Sequence, residues 1–414
     1  MNRYQNIIGK LNYGLFLTEV ALLPFPQIFL RYAFVAWIIA WLLEGRWLSK
    51  PKSLKENTMA IPFILFGVWY VWQIVSWFWA PDHDAWAWQM ERYLTFIGIV
   101  PIGLWGVNKF YNWRTIGKVL VISCVASIPV YLILLAGIRF HPEMVEHYHL
   151  QKYISIWHTS WWPYFADSVS FFKHRLFWCS VELFGIIVAS QVYKEKKWLA
   201  ATFITIMLSP ILLTGSRQSV LTAAALMAVG LVGELPKRYR FRYGVGILLL
   251  GMVLGGGLLM LHPRMKGFNP QAVTEMRDIS GDHDVRFNIW GAALQTPSDY
   301  LTYGIGAGQS TNYMVAKYHQ FNMEYYWNEH YHPHNQYLEA LMELGIGGLL
   351  LFLLAWISIP LCAQKKGRPT AILFTVLFAM NMLTDCMFGK FDGIALWAVG
   401  LLLIFLQSNP KREE

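Results

Sequence analysis

Apolar runs of about 17–25 residues recur along almost the whole chain, the length a helix needs to cross a bilayer. Read as spans, they fall near 10–26, 28–44, 60–80, 93–108, 115–138, 174–192, 197–213, 216–234, 243–261, 337–361, 368–387 and 391–407. The pattern predicts an all-α polytopic membrane protein with about 12 transmembrane helices. The polar stretch from Met1 to Asn12 enters the first span without a small-residue cleavage site, so it reads as a retained span and not a signal peptide. Two connections, 139–173 and 262–336, are too long for simple turns. The first holds an aromatic run, Trp157 to Phe165, suited to the headgroup zone. In the second, Val285 to Gln295 reads as a short amphipathic helix with Val285, Ile289, Ala292 and Ala293 on one side, and Gln309 to Tyr325 as another. The chain has no evident internal repeat.

Composition supports this reading: of 414 residues, 56% are hydrophobic and 14% charged, with 20 Trp and 21 Tyr. A soluble domain carries roughly a quarter charged residues. The net charge of +9 would invite a nucleic-acid partner, but most of the 34 Lys and Arg sit in alternate connections. Arg46 to Lys55, Lys194 to Lys197, Lys237 to Arg242 and Lys365 to Arg368 carry the clearest excess. By the positive-inside rule that side is cytoplasmic, both termini lie there, and both long loops face outward. The charge is thus an orientation signal, and no nucleic acid is expected. Residues 1–261 form the first nine spans, with an outer loop near 139–173. Residues 262–336 are one large outer loop carrying the chemistry, and 337–414 hold the last three spans and a cytoplasmic tail. The four cysteines, Cys124, Cys179, Cys362 and Cys386, fall in or beside apolar runs and match no metal motif.

Chemistry gathers at the outer edge. Tyr331-His332-Pro333-His334-Asn335-Gln336 lies where the long loop meets an apolar helix, which holds an imidazole at the membrane surface for acid–base work. Arg217 opens one span and Arg286 lies inside the same loop. Arg217 either snorkels to headgroups or, at a helix start where the macrodipole disfavours a cation, meets an anion there. Arg286 either pairs with Asp282 or Asp284 or offers its planar fork to a phosphate. A histidine with two arginines suits a diphosphate-linked substrate. His330, His332 and His334 alternate, but the sequence supplies no carboxylate pattern that completes a metal motif. Gly304 to Gly308 lacks the strand-to-helix setting of a dinucleotide loop and reads as a flexible turn. Glu19, Glu182 and Asp385 are expensive within spans; Arg175 lies on the Glu182 face, and Asp385 either orients His334 or binds a sugar hydroxyl. Glu339 and Glu343 open the tenth span, where the helix dipole favours them.

Thr214-Gly215-Ser216-Arg217, Arg286-Phe287-Asn288-Ile289-Trp290, Tyr303-Gly304-Ile305-Gly306-Ala307-Gly308, His334-Asn335-Gln336-Tyr337-Leu338 and Glu343-Leu344-Gly345-Ile346-Gly347-Gly348 together resemble the O-antigen ligase/polymerase superfamily. Each motif is short; their order and placement around one outer loop make the set specific, from about Ser209 onward. The resemblance implies a multi-pass glycosyltransferase of the bacterial inner membrane with its active site on the periplasmic face. Such a ligase moves polysaccharide from undecaprenyl diphosphate onto a sugar hydroxyl of lipid A–core. On that reading His334 is the general base and Arg217 and Arg286 hold the diphosphate, with Asp385, Asn335 and Gln218 as supporting residues. Diphosphate is a good leaving group, so neither a metal nor another cofactor is required, and direct attack inverts the anomeric carbon.

Two siblings within the superfamily compete with the ligase. One is an O-antigen polymerase; the other is a protein-glycosylating class, which carries more soluble mass. From a different class comes a polysaccharide or anion transporter, which would place its polar site near mid-membrane, often with internal repeats. One dominant outer loop, a compact chain and polar chemistry at the outer edge favour the ligase.

Overall fold

A computed structural model describes residues 3–48, 57–140, 173–214, 216–260 and 286–409. Among the described residues, ten α-helices precede the large loop: α1 Arg3–Leu22, α2 Gln27–Leu43, α3 Ala60–Val75, α4 His83–Arg92, α5 Leu94–Trp105, α6 Trp113–Phe140, α7 Arg175–Val192, α8 Lys197–Leu213, α9 Arg217–Glu234 and α10 Lys237–Met260. Short helices α11 Arg286–Leu294, α12 Ser310–Gln320 and α13 Glu324–Asn328 follow, then α14 Gln336–Cys362, α15 Arg368–Met382 and α16 Phe391–Gln407. No strand occurs among the described residues.

A helix lies on each of the twelve expected spans, and among the described residues 5 helical stretches are long and apolar enough by themselves to cross a membrane: 27–48, 60–78, 113–134, 175–192 and 336–362. α8, α15 and α16 are shorter apolar helices. α2 shows why lipid is the solvent. It buries Leu30, Phe34, Trp37 and Trp41 on one face and exposes Ile28, Val35, Ile39 and Leu42 on the other. A helix apolar on both faces has no stable place in water. α16 is buried along nearly its whole length and packs against α2, α5, α6, α7 and α15, which makes it the centre of the bundle.

Two of the buried charges inside the bundle find specific partners, whereas neither Glu19 carboxylate oxygen accepts a hydrogen bond among the described residues. The Glu182 carboxylate accepts from the Ser127 hydroxyl at 3.0 Å, which in turn accepts from the Trp178 indole, so this network links α7 to α6. Lys173 pairs with Asp392 and donates to the Phe25 carbonyl, tying the start of α7 to α16 and to the α1–α2 turn.

The large-loop helices form a cap with its own apolar cluster. Ile289, Ala292, Tyr300, Met314, Tyr318 and Tyr326 pack with Leu338 and Met342 of α14. The expected helix over 285–295 is α11, and Ile289, Ala292 and Ala293 are its buried face; Val285 lies outside the described residues. The expected helix over 309–325 is instead two, α12 and α13, separated where Asn322 takes a left-handed φ of 53°.

The glycine-rich segment is a docking seam, not a flexible turn. α14 breaks at Gly345 (φ 68°, ψ −172°), so Met342 and Glu343 carbonyls lose their helical donors. Ile305 N–H and Gly306 N–H donate to them at 2.9 Å each, and Ile346 N–H donates to Leu301 at 2.8 Å. Gly304 has a φ of +81°, and a Cβ there would sit 2.2 Å from the Glu343 carbonyl oxygen. Glu343 then accepts from Gln89 at 2.6 Å and Ser310 at 2.8 Å, joining α14 to α4 and α12.

Gly304→Ala combines a clash with a forbidden backbone conformation, and is expected to cost at least about 2 kcal/mol. Gly347 has open space around it, so Gly347→Ala is neutral or slightly stabilising. Thermal unfolding of the two variants in detergent should separate them clearly; equal midpoints would contradict the seam.

Candidate active site

The first residues of α14 are set by Asn335, whose side-chain oxygen accepts from Tyr337 N–H and Leu338 N–H at 3.0 Å each. This is a side-chain N-cap, and it fixes where the helix begins. Ahead of it the chain is clamped by the cap domain: the Trp290 indole donates to the Pro333 carbonyl and the Tyr318 hydroxyl to the Tyr331 carbonyl. Between clamp and cap, His334 takes a left-handed φ of 48°. Strain of that kind in a β-carbon residue persists only where surroundings impose it, and it clusters at functional sites.

His334 faces a carboxylate. Its Nδ1 lies 3.6 Å from Asp385 Oδ1, and His332 Nε2 lies 4.0 Å from the same oxygen. The two imidazole centroids are 3.9 Å apart. The His334 N–H donates to His332 Nδ1 at 3.1 Å, so that nitrogen is unprotonated and His332 carries its proton on Nε2, toward Asp385. Desolvation, then the neighbouring His334, push the His332 imidazole down to about 3, consistent with a neutral ring. Desolvation alone would raise the Asp385 carboxyl. The contact with His334 and the couplings to the His174, His334 and His332 imidazoles outweigh it and hold the group below the usual carboxylate range.

Arg286, first residue of α11, donates from Nε to the Thr384 carbonyl at 2.8 Å, one residue from Asp385. Asn335 Nδ2 donates to the Leu383 carbonyl at 3.1 Å. Gln218 donates to the Met380 carbonyl, and Thr222 on the next turn of α9 donates to Asn381 at 3.3 Å. Arg217, first residue of α9 and next to Gln218, therefore stands at the same end of α15, half-buried. All six expected site residues gather around segment 380–385. His334 and Arg286 reach that segment directly, whereas Arg217 is brought there by its helix. Ser216 caps α9 through its hydroxyl; Gly215, Asp282, Asp284 and the histidines of 139–173 lie outside the described residues.

Three residues escaped sequence reasoning. His174 precedes α7 and interacts with Asp385, and burial pushes its imidazole down to about 3, so the ring is neutral near pH 7. Lys390 and Arg92 bring positive charge to His332. The only signal for His174 was its place in the basic Lys173-His174-Arg175 triplet at a predicted outer edge. The histidines also divide differently from their spacing. His330 turns away and is exposed, while His332, His334 and Asp385 place one ligand-type atom each within 4.8 Å of one another, a grouping able to hold a metal ion. The carboxylate missing from the local sequence comes from the turn that follows α15.

Residues 201–353 match the family model described as O-Antigen ligase. The match supports membership of the O-antigen ligase/polymerase superfamily and spans most of α8, α9 to α13 and the first two thirds of α14, with His334, Arg217 and Arg286 inside it. No curated protein matches the chain.

A depressed carboxyl adds stability above its unfolded value, about 3.9, and loses it as pH falls through the folded value. Wild type should thus exceed Asp385→Asn by a constant margin from pH 5 to 8, with the gap narrowing below about pH 4. Histidine 15N shifts should find His332 neutral with its proton on Nε2 across the same upper range; a charged His332 at pH 6 would refute the arrangement.

Proposed function

We propose that the protein is an O-antigen ligase, an inverting glycosyltransferase that moves polysaccharide from undecaprenyl diphosphate to a sugar hydroxyl of lipid A–core. The observation that carries this is the His334–Asp385 contact beside Arg286, within a chain whose residues 201–353 match the O-antigen ligase model. The basic connections support an orientation with both termini in the cytoplasm and this site on the periplasmic face of the inner membrane.

The acceptor hydroxyl oxygen attacks the anomeric carbon from the face opposite the diphosphate. The new carbon–oxygen bond forms as the bond to the diphosphate oxygen breaks, and undecaprenyl diphosphate departs with the electron pair. The hydroxyl proton passes to His334 Nε2. Asp385, held ionised, faces Nδ1 and keeps its proton there, so Nε2 is the basic atom. Arg286 and Arg217 offset the charge that develops on the leaving diphosphate. With two guanidinium groups assigned to that charge, His334 and Asp385 act as base and orienting carboxylate, and the proposed step needs no metal. One dominant outer loop in a chain of 414 residues favours ligase over polymerase.

The test uses purified protein in vesicles with undecaprenyl-diphosphate-linked glycan, lipid A–core and chelator. A heavier lipopolysaccharide band is expected. It should weaken by about 10²–10⁴-fold in His334→Ala and by roughly 10²–10³-fold in Arg217→Ala and Arg286→Ala. Longer donor-linked chains without lipid A–core product would make it a polymerase, and loss of product on chelation alone would assign a metal to the cluster. Donor transport with no glycan product would make it a transporter.

A further inference from the structure

A groove of about 650 Å³ runs down the side of the bundle between α2, α5 and the start of α16. Its walls are apolar, with Val35, Ile39 and Leu42 from α2 facing Ile97 and Gly98 from α5. Its polar groups gather at one end, where Arg31 and Arg92 stand with Glu91. α2 rises about 16 Å between Arg31 and Leu42 at about 1.5 Å per residue. That is roughly half of the ~30 Å hydrocarbon core, the depth of one leaflet.

The charged mouth joins the active site. Arg92 lies over the Trp88 ring at 3.8 Å and donates to the Gly389 carbonyl at 2.6 Å, on the segment that follows Asp385. Its charge is felt at His332. Arg31 lies near Phe391, which closes the groove at the start of α16. Arg217 and Arg286, by contrast, approach from α9 and α11 at the end of α15.

We propose that this groove seats an acyl chain of the anionic glycolipid acceptor, with Arg31 and Arg92 on a headgroup phosphate. The inference rests on the ligase reading above and assigns its second substrate a place. A chain one leaflet deep matches the groove, whereas an undecaprenyl chain, many isoprene units long, overruns it. Two cations at the mouth complement a phosphorylated headgroup, and Gly389 carries that mouth to within a few residues of Asp385.

Photoreactive benzoylphenylalanine placed at Val35 or Ile97 tests the occupant in vesicles of phosphatidylethanolamine, phosphatidylglycerol, lipid A–core and the donor lipid. Mass spectrometry of the adducts should find lipid A–core far above its share of the membrane, with the enrichment lost in Arg31→Gln/Arg92→Gln. Adducts in proportion to phospholipid abundance, or mainly with the polyprenyl donor, would overturn the assignment. Filling the groove with Val35→Trp should raise the acceptor KM about tenfold, the equivalent of losing roughly two buried methylenes, and leave the donor KM alone. An unchanged acceptor KM in a variant that unfolds at the wild-type temperature would also overturn it. Enriched lipid A–core adducts from a wild type that transfers no glycan would uphold the lipid site and sink only the ligase reading.

Discussion

A helix end leaves its last carbonyls without donors, and the C-terminal end of α15 recruits them from much of the candidate site. Ala379 accepts from the Tyr337 hydroxyl, Met380 from Gln218, and Asn381 from the backbone of Thr384 and Asp385. Leu383 accepts from Asn335 and Thr384 from Arg286. Three separate segments, the starts of α9, α11 and α14, are therefore drawn to one point because each brings a donor to an otherwise orphaned oxygen. Convergence of His334, Arg217 and Arg286 follows from that shared anchor more than from any contact among themselves.

The anchor works only if the incoming segments are rigid. For α14 that rigidity comes from its break at Gly345, which turns two carbonyls toward Ile305 and Gly306 and binds the loop to the helix. The same loop meets Ser76 at the end of α3 through the Ala307 N–H at 2.9 Å. The cap cluster then presses on Leu338 and Met342, and Trp290 and Tyr318 hold the histidine segment by its carbonyls. A left-handed His334 is tolerable inside such a frame, and its imidazole is delivered to Asp385 with little freedom to rotate away.

Much of this was legible in the sequence. Apolar run length marked every bundle helix, because in lipid the backbone must be satisfied within each span and the runs have to be long. His334, Arg217 and Arg286 stood out as titratable or cationic groups at predicted edges, and Asp385 as a charge too expensive for a span. The rest depended on long-range pairing. Nothing near His334 in sequence announces a carboxylate, since Asp385 arrives from the turn that follows another helix. The glycine run looked flexible because its rigidity lies in carbonyls of α14 that only a broken helix frees. His332 and His330 alternate in sequence, yet left-handed backbone at both His330 and His334 separates their directions.

The electrostatics of the site set several cations around one carboxylate. Arg217 and Arg286 each occupy the first position of a helix, where the macrodipole places partial positive charge and a cation is unfavourable. Lys390 and Arg92 add positive potential around His332, which faces the one ionised carboxylate. Asp385 and the negative end of α15 offset part of this, which explains why Arg286 is anchored to a carbonyl there. On the proposed reading, a diphosphate bound beside Arg217 and Arg286 would set its two negative centres against the cations at the starts of α9 and α11. Binding energy of that origin need not come from rearranging the protein, so it is available to stabilise the departing diphosphate as charge develops on it.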